Sequence, residues 1–241
     1  MVQDPTQIHT ESERLARETG GHFMDQFTYA ERATDWRANN NIAESIFQQL
    51  RFERHPEPSW LISSPGTGGT TATLGRYVRY RQHNTRVLCA DAEQSVFFDF
   101  YLSGDASLRL DCGSRIEGIG RPRVEASFLP KVIDAMVKVP DALSLAAMHY
   151  LAQSMGRRVG GSSGTNLIGA LIAAQHMVAN GESGSIVAIL CDGGERYATT
   201  YYDAQWLKAQ GYELEGLIAA VKACVEPVSY THLTLPTTER V

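Results

Sequence analysis

Residues 59–74 are the stretch that most constrains the fold of this chain. They begin with the apolar run Trp60-Leu-Ile62, continue through the glycine loop Gly66-Thr-Gly-Gly-Thr70 and pass into a segment with apolar residues at helical spacing. An apolar run, a tight glycine loop and a helix in this order are typical of a strand–helix–strand unit. The stretch therefore predicts a parallel sheet that is covered by helices.

The glycine loop is a candidate anion site. Gly66, Gly68 and Gly69 permit positive φ and a close approach of the backbone to a ligand. Free N–H groups at the start of the following helix attract a phosphate, and the hydroxyls of Thr67, Thr70 and Thr71 add donors. The loop alone leaves a second interpretation open, a strand-to-helix turn in which glycine serves only the geometry.

Two common nucleotide sites do not match this loop. The phosphate loop of phosphoryl-transfer enzymes requires a lysine after its last glycine, and no lysine follows the glycines here. The order Gly-Thr-Gly-Gly-Thr also differs from the GxGxxG fingerprint of dinucleotide-binding folds. The acidic residue of that fingerprint is matched only loosely, by Asp91.

Strands and helices are predicted to alternate along the chain. The apolar runs 86–91 and 185–191 have the composition of buried parallel strands, in which Cys89 and Cys191 are small buried residues. The other predicted elements are helices at 6–19, 40–52, 69–82, 142–155 and 166–179, a strand at 59–63, a segment at 22–27 that could form a strand, and an irregular region at 97–123. This alternation predicts an α/β fold with a mostly parallel sheet flanked by helices.

Capping residues and apolar spacing set the predicted helix boundaries. Gly20 closes the first helix, and Asp141 is interpreted as the N-cap of helix 142–155. The glycine turn 159–164 is predicted to open the helix at 166–179. The apolar face of that helix is predicted to carry Leu167, Leu171, Ala174 and Val178.

Composition excludes several classes of protein. The 241 residues carry a net charge of −5, which gives no reason to expect nucleic acid or an anionic membrane as a partner. No apolar run approaches the ~20 residues of a membrane-spanning helix, and the first residues contain no apolar signal core. The four cysteines form no CxxC pair, which predicts reduced thiols in a cytoplasmic protein without a metal.

Three loops are predicted at the edge of the sheet where ligands bind. Parallel sheets bind ligands beyond the carboxyl ends of their strands, and the loops 64–70, 160–165 and 192–197 meet this condition. They supply a phosphate cup, the hydroxyls of Ser162 and Ser163, and an acidic glycine turn. This combination suits a small phosphorylated cofactor.

Five short motifs are spread along the chain: Asp25-Gln-Phe27, Gly66-Thr-Gly-Gly-Thr70, Arg115-Ile-Glu-Gly-Ile-Gly120, Gly161-Ser-Ser-Gly164 and Gly194-Glu-Arg-Tyr197. Taken together, they resemble the cysteine synthase/cystathionine β-synthase family of pyridoxal-phosphate enzymes. Within the family, residues 31–47 look closest to the L-cysteine desulfhydrase branch. The resemblance covers about residues 6–203.

The resemblance implies the tryptophan synthase β-like fold, known as fold type II, with pyridoxal 5'-phosphate as the cofactor. In such enzymes the loop that corresponds to residues 66–70 holds the cofactor phosphate. The residue that corresponds to Ser162 contacts the pyridine nitrogen, and Gln26 and Gly118 fall at substrate-binding positions. An amino-acid substrate and a homodimer of the full-length protein are also implied.

The implied activity is β-elimination on L-cysteine, which yields hydrogen sulfide, pyruvate and ammonia. Two alternatives stay open. One is β-replacement, as in cysteine synthase or cystathionine β-synthase. The other is a non-catalytic module that binds the cofactor or another phosphate compound. The motifs do not separate elimination from replacement.

The motif that carries the family's Schiff-base lysine is absent from this sequence. The lysines of the chain lie in other contexts and are interpreted as surface residues; they are Lys131, Lys138, Lys208 and Lys222. We therefore expect residues 1–20 to be a remnant helix of a missing N-terminal domain, 21–226 to be the large cofactor-binding domain and 227–241 to be a non-native tail. On this interpretation the chain contains no catalytic residue and is inactive alone.

Overall fold

The computed structural model of the protein describes residues 8–38, 40–226 and, for the backbone alone, 238–240. Its central strands are β1 (Trp60–Ser63), β2 (Arg86–Ala92), β3 (Ala135–Val139) and β4 (Ile186–Ala188). These four strands are parallel and lie in the spatial order β4, β1, β2, β3. The predicted α/β fold with a mostly parallel sheet is confirmed.

The direction of the chain across the sheet reverses between β1 and β4. From β1 the chain proceeds outward to β2 and β3, and it then returns to place β4 on the other side of β1. Trp60 therefore lies opposite Arg86 on one side and Ile186 on the other. Open parallel sheets bind ligands beyond their carboxyl edge at such a reversal. The topology alone thus points to the carboxyl ends of β1 and β4.

Helices surround this sheet. Those of the described residues are α1 (Ile8–Thr19), α2 (Gln26–Tyr29), α3 (Ile42–Leu50), α4 (Gly69–Arg81), α5 (Phe97–Ser103), α6 (Asp141–Met155), α7 (Gly161–Ala179), α8 (Ala204–Ala209) and α9 (Glu215–Val225). Short 3-10 turns lie at Ala30–Arg32, Pro130–Val132 and Glu195–Tyr197. The predicted helices at 6–19, 40–52, 69–82 and 142–155 are each present, with ends that differ by one or two residues.

Helix α7 packs against the strands and fixes the carboxyl edge of the sheet. Its Ile168 and Ile172 are buried in one core cluster with Trp60. Gly169 brings the helix close to β1, because a Cβ there would lie 2.7 Å from a methyl carbon of Ile62. The predicted apolar face is only partly right, since Val178 is 81% exposed.

Two predictions between the helices and strands are wrong. Residues 22–25 have no regular structure, and α2 begins at Gln26 because the Asp25 carboxylate accepts the Thr28 N–H and caps the helix. The region predicted as irregular contains α5, whose Phe97 stacks on Phe128 with ring centroids 4.2 Å apart. Strand β3 has no counterpart among the predicted elements.

The starts of α6 and α7 also differ from prediction. Pro140 occupies the N-cap of α6, and Asp141 is its first helical residue. Helix α7 begins at Gly161, so the predicted glycine turn is its first helical turn. Gly164 serves the packing of α6 on α7, because a Cβ there would lie 2.6 Å from the Met148 nitrogen.

The predicted strand 185–191 is shorter and less buried than expected. Strand β4 ends at Ala188 and its three residues are only half-buried, because it lies at the edge of the sheet. Cys191 is consequently an exposed residue beyond the strand, whereas Cys89 is buried in β2 as predicted.

Several predictions fall partly outside the described residues. These include residues 6–7 of the first helix and residues 227–237 and 241 of the predicted tail. The backbone of β5 (Thr238–Arg240) pairs antiparallel with β3. The division of the chain into units 1–20, 21–226 and 227–241 stays a prediction. Within the described ranges, no helix has the length and apolar character needed to cross a membrane.

Candidate functional site

A cleft of about 670 Å³ opens at the carboxyl ends of β1 and β4. Ser64 follows β1, Cys191 and Asp192 follow β4, and all three line the cleft. Residues of the segment 113–122 and the start of α2 complete its walls. The cleft therefore lies at the reversal of the strand order.

The loop between β1 and α4 forms one wall and leaves the start of α4 open. The Gly118 carbonyl oxygen occupies the space that a Cβ on Gly66 would need, so two backbone segments touch there. Gly68, with a φ of +92°, is the N-cap of α4 and has no side chain to cap the helix, but the neighbouring Thr67 hydroxyl accepts the Gly69 N–H at 3.4 Å. The N–H of Thr70, the next residue of this 13-residue helix, has no partner among the described residues and lies beside the cleft.

The structure brings most of the predicted site residues together. Six of them line the cleft: Gln26, Gly66, Thr67, Thr70, Gly118 and Ser162. Gly68 and Gly69 do not line the cleft and instead pack against other backbone segments. A Cβ on Gly68 would lie 2.8 Å from the Phe128 Cα, and a Cβ on Gly69 would lie 2.9 Å from the Ala30 carbonyl oxygen. Each of the three glycines therefore serves a backbone contact, and Gly66 also faces the cleft with Thr67 and Thr70; that this loop binds an anion stays a prediction.

Ser162 lies in the first turn of α7, beside the chain segment that follows β4. The Ser163 hydroxyl accepts the Cys191 N–H at 3.3 Å, and the Asn166 amide donates to the Ile189 carbonyl at 2.7 Å. These bonds fix Cys191 next to Ser162. Desolvation raises the pKa of the Cys191 thiol, although a hydrogen bond with Ser162 opposes the rise. The thiol therefore stays protonated near neutral pH.

Tyr201 holds the segment 113–122 in place. Its hydroxyl donates to the Arg115 carbonyl at 2.7 Å and accepts the Glu117 N–H at 2.9 Å. Further along the segment, the Gly120 N–H donates to the Pro65 carbonyl at 2.8 Å. The segment is therefore tied to the glycine loop and to the region after β4 at once.

Charged and phenolic side chains form the rim of the cleft. An ion pair joins Glu117 to Arg196 across two of its walls. Nearby, the Tyr197 hydroxyl donates to the Asp192 carboxylate at 2.7 Å. Burial, and then this hydrogen bond, raise the pKa of Tyr197, so the phenol keeps its proton. Tyr197 is thus a hydrogen-bond donor at every physiological pH.

Sequence reasoning missed part of this site. Cys191 lines the cleft because β4 ends at Ala188, and a shorter predicted strand would have placed it in the ligand-binding loop. Tyr201 acts through a contact 84 residues away, for which the sequence carries no local signal. Asp91, the loose match to a nucleotide-binding acid, has a structural contact instead, since it accepts the Phe98 N–H at 2.9 Å.

None of the four lysines of the chain lines the cleft. Lys138, for example, extends from β3 to the Asp99 carboxylate at 2.8 Å. An amine that reacts inside this cleft is therefore not provided by the residues that surround it.

Comparison with known proteins gives consistent matches. A sequence profile of the family described as pyridoxal-phosphate dependent enzyme matches residues 2–192. L-cysteine desulfhydrase Cds1 of Mycobacterium tuberculosis is 56% identical over 220 residues, which cover 91% of this chain and 60% of that protein. Cysteine synthase 2 of Emericella nidulans is 30% identical over 222 residues, or 84% of this chain and 49% of that protein.

A more distant relative is cystathionine beta-synthase of Apis mellifera. It is 30% identical over 154 residues, or 64% of this chain and 29% of that protein. The chain thus spans less than two thirds of the length of each of these three relatives.

Proposed function

Because the chain belongs to the family of pyridoxal-phosphate dependent enzymes, we propose that the whole protein is a lyase that releases hydrogen sulfide from L-cysteine. The family predicted from the five motifs is confirmed by the profile match. The choice of L-cysteine as the substrate rests on the 56% identity to L-cysteine desulfhydrase over 91% of this chain. Because the chain spans 60% of that relative, the activity is a proposal about the whole protein.

The cleft fits a pyridoxal phosphate. Its volume of about 670 Å³ lies in the range of cofactor sites. The start of α4 offers the Thr70 N–H and the positive end of a helix dipole to a phosphate, and the hydroxyls of Thr67 and Thr70 lie beside it. Ser162 supplies a neutral hydroxyl elsewhere in the same cleft. An anion cup and a neutral polar partner are what a phosphorylated pyridine needs.

These observations support specific roles for the lining residues. We assign the phosphate to Gly66, Thr67 and Thr70, and the pyridine nitrogen to the Ser162 hydroxyl. Gly68 and Gly69 shape the same loop from outside the cleft. Gln26 and Gly118 are assigned to the amino-acid substrate, since both lie on the cleft surface.

The residues of the cleft bind and orient, and the cofactor supplies the chemistry. Pyridoxal phosphate, when bound, supplies the electron sink that permits loss of the hydrogen on the substrate α-carbon. L-Cysteine and water give hydrogen sulfide, pyruvate and ammonia in a balanced reaction. Because Ser162 is a neutral partner, it would leave the pyridine nitrogen largely unprotonated, and this favours elimination at the β-carbon. A β-replacement, as in cysteine synthase, remains the alternative that the test must separate.

The test compares two reactions of the full-length protein. With added cofactor and L-cysteine alone, we expect sulfide, pyruvate and ammonia in equal amounts. With O-acetylserine and sulfide, we expect little new cysteine. Cysteine as the main product of the second reaction would replace the proposal by the synthase alternative, and absence of both reactions would favour the non-catalytic module. Residues 1–241 alone are expected to release no sulfide, because no lysine lines the cleft.

A thiol in the cleft gives an independent test of cofactor binding. We expect pyridoxal phosphate at about ten times its dissociation constant to slow alkylation of Cys191 by iodoacetamide about tenfold, since bound ligand leaves roughly a tenth of the sites free. Alkylation of free protein should quicken as pH rises, because only the thiolate reacts, and the rise should extend to higher pH than for an ordinary cysteine, because desolvation raises the pKa of the Cys191 thiol. Site-resolved mass spectrometry follows the reaction.

Cys112 is the internal control for this experiment. It is exposed and does not line the cleft, so its alkylation should be indifferent to the cofactor. Pyridoxal without its phosphate should protect Cys191 far less. Equal protection of both cysteines would contradict the assignment of the cleft.

Assembly and location are proposed on the resemblance alone. We propose that the full-length protein forms a homodimer in the cytoplasm. Sedimentation of the full-length protein tests the first statement, and cell fractionation tests the second.

A further inference from the structure

The segment 125–128 contacts the glycine loop on the side that faces away from the cleft. Ser127 lies at its centre and is completely buried. Its hydroxyl is within hydrogen-bond distance of two backbone carbonyls, those of Phe27 (2.8 Å) and Thr67. The first carbonyl follows Gln26, and the second lies inside the proposed phosphate loop. One buried hydroxyl therefore touches both halves of the proposed site.

The hydroxyl proton is best assigned to the Thr67 carbonyl. The Phe27 carbonyl already accepts the backbone N–H of Ser127 at 3.2 Å. Ser127 can therefore hold the two segments with separate donors, its N–H toward Phe27 and its O–H toward Thr67. Loss of the hydroxyl would break the connection between the phosphate loop and the segment at Gln26 and Phe27, and it would leave a buried carbonyl without that donor.

The position of Ser127 is itself fixed from both sides. On one side the buried carboxylate of Glu125 accepts hydrogen bonds from Arg121 and Arg123, each at 3.1 Å. On the other side Phe128 stacks on Phe97, with ring centroids 4.2 Å apart. Because the segment is held at both ends, Ser127 can fix the positions of the Phe27 and Thr67 carbonyls that it contacts.

The backbone of this segment also fits closely against the phosphate loop. A Cβ on Gly68 would lie 2.9 Å from the Ser127 carbonyl oxygen and 2.8 Å from the Phe128 Cα. Position 68 therefore requires glycine for two reasons, the close backbone contact and the positive φ of +92°. The two segments are therefore in direct backbone contact in addition to the hydroxyl bond.

We propose that Ser127 is a positioning residue, which sets the distance between the cofactor-binding loop at Thr67 and the substrate-binding segment at Gln26 and Phe27. It touches neither ligand, because it does not line the cleft. The inference rests on the function proposed above. Removal of the hydroxyl should therefore affect cofactor and substrate binding together, without a direct contact to either.

The test uses Ser127→Ala, Ser127→Cys and a matched control, Ser185→Ala. The Ser185 hydroxyl also donates to a distant backbone carbonyl, that of His55 at 3.1 Å, but it lies outside the cleft. In the full-length protein we expect Ser127→Ala to raise the dissociation constant of pyridoxal phosphate about fivefold and the KM for L-cysteine about fivefold. The kcat should change less than about twofold. Ser127→Cys keeps a weak donor and should be intermediate. Ser185→Ala should bind like the wild type.

Hydrogen exchange gives a readout that does not depend on activity. Exchange at residues 26–29 and 66–70 should quicken together in Ser127→Ala and stay unchanged in Ser185→Ala. Wild-type protein that binds no cofactor would refute the proposed function. Cofactor binding by wild type that is equal in Ser127→Ala, or a lower melting temperature with unchanged affinity, would refute the role of Ser127. If Ser127→Ala does not fold, the affinity of Ser127→Cys decides.

Discussion

Replacement of Gly66 by alanine is expected to weaken binding of pyridoxal phosphate about a hundredfold. The Gly118 carbonyl oxygen occupies the space that the new methyl group would need, so the glycine loop and the segment 113–122 would have to separate. Overpacking of this kind costs up to ~3 kcal/mol, and ~1.4 kcal/mol corresponds to a tenfold change in affinity. Both segments line the cleft, so their separation should lower the affinity for the cofactor.

Titration of the variant with cofactor, followed by the absorbance of the pyridine ring, measures this effect. Gly113→Ala is the matched control, because Gly113 lines the same cleft but has no atom within 4 Å of an added Cβ. Its affinity should stay within about twofold of the wild type, as for a substitution without a clash. Similar affinities for Gly66→Ala and wild type would show that the phosphate does not bind beside this loop.

Local sequence signals are sufficient for the glycine loop and for its place in the fold. One stretch, residues 59–74, contains the apolar run of β1, the glycines at 66–69 and the helical spacing after them. The rule that places ligands at the carboxyl edge of a parallel sheet already selects the loop that holds Ser162, whereas Gln26 is selected only by the family motifs. The structure brings these residues to one cleft.

The contacts that complete the site could not be predicted, because each joins residues far apart in the chain. Tyr201 holds Glu117 from 84 residues away, and Ser127 reaches Thr67 across 60 residues. Neither residue belongs to a motif, and serine or tyrosine at such positions is equally compatible with an exposed loop. Their partners are set by packing, which the sequence does not display.

Two errors in secondary structure have a related cause. The apolar run 185–191 contains no signal that tells where an edge strand stops, so the sequence assigns Cys191 to the strand instead of the cleft. The aromatic run of α5 favours a strand or an irregular region by composition. Its packing on Phe128 instead stabilises a helix, so tertiary contact outweighs the local preference.

Replacement of Asp141 by asparagine is expected to stabilise the fold at alkaline pH and to have little effect at acid pH. Asp141 is buried at the start of α6, and one of its carboxylate oxygens has no hydrogen-bond partner among the described residues. Desolvation, and then the nearby charge of Glu93, raise the pKa of Asp141 to about 6, while Arg115 opposes the rise.

The sign follows from proton binding in the two states. The usual pKa of an aspartate is 3.8, so between that value and about 6 the folded protein binds a proton that the unfolded chain has released. The free energy of unfolding therefore falls as pH rises through this window, by up to ~3 kcal/mol for a shift of about two pKa units. The asparagine side chain carries no charge at any pH, so Asp141→Asn should recover about 2 kcal/mol near pH 8 and almost none near pH 4.

Urea unfolding at about pH 4, 6 and 8 measures the difference between wild type and variant at each pH. Asp111→Asn is the control, since Asp111 is exposed and its replacement should leave the pH dependence unchanged. A residual slope is expected in Asp141→Asn, because burial also raises the pKa of Asp91 to about 7. A variant that is less stable than wild type near pH 8, or a gain that is equal at all three pH values, would contradict the burial of an uncompensated charge at the start of α6.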